Sequence, residues 1–346
     1  MRLCYTNCML LPLGILAVLL SAGLLVTRTV RAPRLRPYPL YGWAGVAGIV
    51  LFETLLALRV PWVVTYFTEL IWPVYILAMD GAVYRVRGDS PLHAPGRFIA
   101  NYLLSVPAWI LFEAYNFKLA NWIYVGVPNQ WWVFVLAGSW AFGTIYPGVF
   151  ETAELLYATG GRQSRCRPLR FSAAGKWGFV IAGAVLLLFP LLAPVSLAPY
   201  LFGAIWVGFI FFLDPINQRL GLASLLTDLE QGRPGRLYSL LLSGVCCGFF
   251  WEFWNFWAGG RWVYVFPILH RFRIFAMPFP GFLGFPPFVV ECFTMTVLLS
   301  WALFPQGLRP VLMEDRPYAA EKAGTAGRPH RSQNQPSPTK PAPTRS

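Results

Sequence analysis

Two glutamate motifs recur in this chain, and each sets a carboxylate inside an apolar run. Glu113-x-x-Asn116 and Glu252-x-x-Asn255 share one layout, while Pro147-x-x-x-Glu151 and Pro287-x-x-x-Glu291 share another. A Glu and an Asn three apart lie on one helix face. A Pro ahead of the Glu allows a kink and frees a carbonyl. An ionised side chain at mid-bilayer costs about 2.5–3.5 kcal/mol or more, so these four Glu should face a bundle interior or carry a proton. Buried among Trp and Phe, at least one is expected to hold a proton at neutral pH. Such a group can act as a general acid, or as a base once ionised, with the Asn positioning it. Glu252, Asn255 and Glu291 form the expected primary set, and Glu113, Asn116 and Glu151 a second one. The motifs place both carboxylates of each half in the outer half of the bilayer. The competing structural role is that each Glu bonds a neighbouring Asn, Trp N–H or Tyr OH and only locks the fold. Glu53 and Glu69 also sit in apolar runs but have no match later in the chain.

Each Glu-x-x-Asn is followed by Trp-x-Tyr, at Trp122/Tyr124 and again at Trp262/Tyr264. Trp254, Trp262 and Tyr264 are expected to line a substrate site, where aromatic faces can stabilise a developing cation. The two halves then differ. Residues 131–140 are WWVFVLAGSW, whereas 270–287 form a Pro/Gly/Phe run that cannot be regular helix before about Gly284. That run is expected to be a lid-like loop, or else an interfacial aromatic belt. Arg261, Arg271 and Arg273 beside it break the charge pattern of the other loops and suit an anionic headgroup or pyrophosphate.

The elements that must carry these motifs are membrane helices. Apolar residues make up 56% of 346 positions, charged residues 12%, and the mean hydropathy is +0.52. The apolar stretches are continuous and long enough to cross a bilayer, which favours helices over a barrel. Nine are expected, at roughly 9–27, 41–58, 61–79, 98–117, 138–158, 177–195, 198–213, 237–256 and 283–304. The segment 220–229 (LGLASLLTDL) should be a short interfacial helix.

An internal repeat organises them. Trp72…Asp80 recurs as Trp206…Asp214 at an offset of 134, Pro95-Gly96-Arg97 as Pro234-Gly235-Arg236 at 139, and Trp122-x-Tyr124 as Trp262-x-Tyr264 at 140. The expected fold is an all-α integral membrane protein of about nine transmembrane helices. They divide as one plus two tandem parallel four-helix repeats, with a pseudo-two-fold axis along the membrane normal. The expected divisions are an N-terminal helix and basic loop (1–40), a first repeat (41–176), a second repeat (177–311) and a disordered basic tail (312–346).

The net charge is +13, and the basic residues sit in alternate loops, which is a positive-inside signal and not a nucleic-acid footprint. That topology places the N-terminus outside and the tail in the cytoplasm of a bacterial inner membrane. The six Cys and three His make no ligand or disulfide spacing, so no metal and no other cofactor is expected. The expected partners are membrane lipids, with a lipid or isoprenoid as substrate. The oligomeric state does not follow from the sequence.

The stretch WEFWNFWAGGRWVY…FAMPFPGFLGFPPFVVE, between Trp251 and Glu291, resembles a motif of uncharacterised bacterial polytopic membrane proteins. The layout is also loosely similar to lycopene-cyclase-like membrane proteins, which have tandem helical repeats and intramembrane carboxylates. This chain carries Pro-x-x-x-Glu where those proteins have Pro-x-Glu-Glu. Three functions fit: an enzyme acting on a lipid or isoprenoid, a proton-coupled transporter or lipid flippase, and a non-catalytic scaffold.

Overall fold

The structure, a computed structural model, describes residues 10–314. The expectations for residues 1–9 and for the tail from 315 onward lie outside the described residues. Leu312 and Met313, at the expected start of that tail, are buried.

The described chain is mostly helical. Its helices are α1 (Leu11–Arg31), α2 (Leu40–Ala57), α3 (Pro61–Thr65), α4 (Phe67–Arg87), α5 (Pro95–Leu119), α6 (Trp131–Ala158), α7 (Ala173–Leu192), α8 (Phe202–Arg219), α9 (Leu225–Glu230), α10 (Gly235–Trp257) and α11 (Phe285–Leu303). Four short strands complete it: β1 (Trp122–Val125), β2 (Arg261–Tyr264), β3 (Arg273–Ile274) and β4 (Met277–Pro278). Seven helices are long and apolar enough to cross a membrane, namely α1, α2, α5, α6, α7, α10 and the span Phe279–Leu303 that contains α11. The chain is therefore a polytopic membrane protein. The helices α4 and α8, which carry Asp80 and Asp214, are not among the seven.

Boundaries follow local chemistry. Pro95 and Pro286 stand in the first turns of α5 and α11, where a missing N–H costs nothing. Ser172 and Ser224 cap α7 and α9 by accepting from Gly175 N and Thr227 N. The helix expected over 61–79 is split at Tyr66 and runs on to Arg87, where Gly88 (φ 81°) ends it. The helix α6 starts at Trp131, seven residues earlier than expected, because WWVFVLAGSW holds no breaker. In contrast, α11 starts at Phe285, where the Pro/Gly run ends.

The same packing recurs at matched positions. In one pair α2 lies on α4, and in the other α7 lies on α8. Gly45 is the contact point of the first pair: a Cβ there would stand 2.5 Å from Ala78 N and 2.6 Å from Val74 O. Gly183 plays that part in the second, with Phe212 N at 2.4 Å and Gly208 O at 2.8 Å. Those partners are again 134 residues apart. Small residues let membrane helices touch backbone to backbone. Gly45→Val and Gly183→Val are each expected to cost about 1–3 kcal/mol or more, because backbone must give way. Thermal unfolding in detergent should show similar losses for both, and none for Gly178→Val, where nothing lies within 4 Å.

The strands β1 and β2 pair antiparallel, Trp122 opposite Tyr264 and Tyr124 opposite Trp262, so the ribbon is symmetric about Ile123 and Val263. It closes one end of the bundle. The basic segments meet at the other. Arg28 donates to Thr159 O, Leu35 N to Arg85 O, Leu169 N to Leu229 O, and Lys176 pairs with Glu230 at 2.7 Å. That ammonium holds the Glu230 carboxyl below its ordinary range.

Candidate functional site

Each Glu-x-x-Asn sits in the last two turns of its helix, beside the ribbon. The Asn acts on backbone. Asn116 accepts from Trp122 N at 3.2 Å and donates to Trp122 O at 2.9 Å. Asn255 does the same to Trp262, at 3.0 Å in both directions. One amide thereby satisfies both polar groups of one strand residue and fixes where the indole points.

Those indoles turn back to the carboxylates. Glu113 Oε1 accepts from Trp122 Nε1 at 3.1 Å, Trp109 Nε1 at 2.9 Å and the Tyr124 hydroxyl at 2.5 Å. Glu252 Oε1 accepts from the Tyr264 hydroxyl at 2.6 Å and from Trp262 Nε1 at 3.4 Å. Trp262 Nε1 also donates to the Tyr264 oxygen at 2.8 Å. The position matching Trp109 is Gly248, whose missing side chain is replaced by the Phe285 ring. Glu252 thus lacks the third donor, and its Oε2 is buried without a partner among the described residues.

A cavity of about 390 Å³ opens in front of these groups. Its back wall is Trp109, Trp122, Tyr124, Trp251, Trp262 and Tyr264. The helix α8 supplies Phe202, Gly203, Trp206 and Val207, and the segment from Met277 to Phe288 closes the far side. The rim carries Tyr200 and Leu283, which are 50% and 68% exposed. A matched hollow of about 70 Å³ lies across the indole wall, lined by Glu69, Trp72, Tyr124, Phe134 and Arg261. The difference has a structural cause. Pro147 and Pro287 align, so residues 131–144 of α6 have no helical counterpart ahead of α11. In the first half that helix fills the space. In the second half a β3–β4 turn and a 3-10 segment (Phe279–Gly284) stand further out and leave the cavity. This segment packs on α1, as Gly14 lies directly against Ile274 and Phe275.

The expected site residues divide accordingly. Trp262 and Tyr264 line the large cavity, and Glu113 and Glu252 stand behind its wall. Trp254 does not line it; it packs on Trp72 and Tyr75 and donates to Glu53 Oε1 at 3.1 Å. Arg261 donates to Phe256 O at 2.9 Å, Arg273 to His270 O at 3.0 Å, and Arg271 is exposed. None of the three arginines borders the large cavity.

The four Glu are not at one level, contrary to the expectation. Glu151 lies about 30 Å along α6 from its first residue and shares a small cavity with Arg97, Glu154 and the segment Pro310–Met313 at the basic end. A proline four residues upstream sets the helix path but says nothing of depth, and α6 is longer than the motif implied. Glu151 and Glu291 are 1% and 0% exposed, and among the described residues none of their carboxyl oxygens has a hydrogen-bond donor.

Sequence reasoning missed two features. The Trp109–Trp251 wall, with ring centroids 5.7 Å apart, joins side chains from different halves that no spacing connects. The other is a pair of buried Asp brackets. Asp80 accepts from Ser90 Oγ and Leu92 N, and Asp214 from Ser224 Oγ, Leu225 N and Leu226 N. The signal was present, since each Asp is followed by Ser ten residues later.

No protein-family model, curated protein or solved structure matches the chain.

Proposed function

We propose that this membrane protein takes an isoprenoid or acyl chain into the aromatic cavity and acts on it by proton transfer through Tyr264 and Glu252. The observation that supports this best is the pairing of a lipid-sized apolar cavity with a hydroxyl–carboxyl pair at its wall. Sites for small molecules are typically apolar concavities with a few placed polar groups. Tyr264 is the group that meets the ligand, and Glu252 behind it exchanges the proton. Six Trp and Tyr faces stand ready for positive charge on the reacting carbon chain. Tyr124 and Glu113 form a second such pair.

The topology belongs to the same proposal. The helices α4 and α8 also cross the membrane, giving nine spans as one plus four plus four. Matched glycine contacts, Asp brackets, Asn clamps and the symmetric ribbon support the duplication. The basic end faces the cytoplasm by the positive-inside rule, in a bacterial inner membrane. On that reading the rim between α8 and the lid opens sideways to lipid.

Gly203→Trp tests the site. Gly203 lines the cavity and a Cβ there meets nothing within 4 Å, so an indole fits inward without moving the fold. Mass spectrometry is expected to find a lipid co-extracted with the parent chain and to find it lost from the purified variant. An unchanged lipid content would reject the cavity as the site.

A transport reading has one observation of its own, the unpartnered Glu151 and Glu291 deep in the bundle. It requires flux in proteoliposomes that depends on a proton gradient and stops in Glu291→Gln.

A further inference from the structure

We propose that the small hollow across the indole wall is a second binding site, one that takes the ammonium group of a lipid head or of a free amine. Thr65, Thr68, Glu69 and Trp72 line the hollow, and the residues 134 positions later, Pro199, Phe202, Gly203 and Trp206, line the large cavity. At the offset of 140, Thr144 of the hollow matches Gly284 of the cavity, and Asn121 of the cavity matches Arg261 of the hollow. On the proposed duplication the two are one site in two versions. The ammonium assignment needs only the lining of the hollow and not the chemistry proposed for the cavity.

The differences run one way. Where the cavity has Pro, Phe and two Gly, the hollow has three Thr and a Glu. An apolar chain suits the first set, and a polar group suits the second. The polar groups of the hollow are mainly acceptors. Thr65 Oγ1 donates to Pro61 O at 3.0 Å and Thr144 Oγ1 to Ala141 O at 2.7 Å, so each hydroxyl has spent its proton and keeps lone pairs. Glu69 stands in the first turn of α4, where the helix dipole favours a carboxylate. Its backbone carbonyl accepts from Trp140 Nε1 at 2.9 Å, but among the described residues no Lys, Arg or His pairs with its carboxylate. Arg261, on the same lining, donates to Phe256 O at 2.9 Å.

An ammonium fits that lining by charge and by surface. Trp72, Trp109, Phe134 and Trp262 add their rings to it. The Nε1 atoms of Trp109 and Trp262 are already bonded to Glu113 and Tyr264, so these indoles offer the hollow ring surface and not a donor. Aromatic rings beside a carboxylate are a recurrent way to hold an organic ammonium group. The volume, about 70 Å³ against about 390 Å³, takes a head of a few heavy atoms and excludes an acyl chain. Arg261 suits the phosphate that a zwitterionic lipid head carries beside its ammonium. Thr65, Thr68 and Glu69 are each partly exposed, so the hollow can be reached from outside.

Native mass spectrometry of the full chain in detergent tests the site with dioleoylphosphatidylethanolamine and dioleoylphosphatidylethanol, lipids of identical chains that differ in the amine. The parent chain is expected to prefer the amine-bearing lipid about tenfold, through the carboxylate and the rings together. Glu69→Gln keeps the shape and should abolish the preference, with unchanged circular dichroism. Thr68→Phe copies the cavity-side residue into the hollow and should abolish it by filling the space. Displacement of the lipid by ethanolammonium chloride would assign the hollow to small amines, and persistence against it to the lipid head. Equal binding of the two lipids by the parent chain, or a preference that survives Glu69→Gln, would overturn the site. Gly203→Trp blocks only the cavity and should leave the preference intact. A preference lost in that variant would move the ammonium to the cavity and overturn the assignment, whereas an unchanged lipid content there bears on the cavity alone.

Discussion

Glu252→Gln is expected to lower conversion of the bound lipid by about 100-fold or more, the usual contribution of a positioned acid or base. The substitution keeps shape and one acceptor oxygen, so Tyr264 can still donate to it and the cavity wall stays in place. Only the exchangeable proton is lost. Tyr264→Phe should fall as far, because the hydroxyl is the polar atom between Glu252 and the cavity. The double variant should be no worse than either single one, as expected of two groups acting as a unit. Glu113→Gln should cost far less, since three donors converge on Glu113 Oε1 and leave it a structural acceptor. The measurement is the lipid profile of cells making each variant, read beside the amount of lipid that co-purifies. Equal conversion by the parent chain and Glu252→Gln would sink the catalytic reading while leaving the cavity as a binding site.

Arg87→Leu is expected to destabilise the protein by about 3–5 kcal/mol, because it strands a buried carboxylate. Glu154 is the partner of Arg87, its side chain 3% exposed, and its other oxygen accepts from Met313 N. The same guanidinium donates to Glu314 O at 2.9 Å, so the strap at 310–314 loses that anchor as well. Glu154→Met should also destabilise, and Arg87→Leu combined with Glu154→Met should recover much of the loss, since both members of the buried pair are then gone. Denaturation in detergent, followed through the Trp signal, gives the three values. A double variant as unstable as the sum of the singles would mean that the pair itself is not what holds this end.

The strap and the lid show where sequence reasoning stops. The expected tail begins at 312, yet Met313 is fully buried, with Glu154 and Arg236 bonded to its backbone. Those partners are 159 and 77 residues away, and no local pattern links them. The lid was legible as a break in helix, since its prolines and glycines forbid one. That it leaves a cavity was not, because the space exists only by comparison with residues 131–144 of α6 in the other half.

The opening Glu motifs divide along the same line. Their types, repetition and apolar setting were determined by the sequence, as was the helical membrane class, seven of whose helices are long and apolar enough to span. Those properties follow from periodicity and from the cost of leaving backbone groups unpaired in lipid. Depth and partnership were decided by the tertiary structure. Glu113 and Glu252 meet Trp and Tyr because an Asn clamps each strand to its helix end. Glu151 and Glu291 meet no donor among the described residues. Four glutamates in two matching motifs therefore have different chemistry, because proton exchange depends on neighbours brought from other helices.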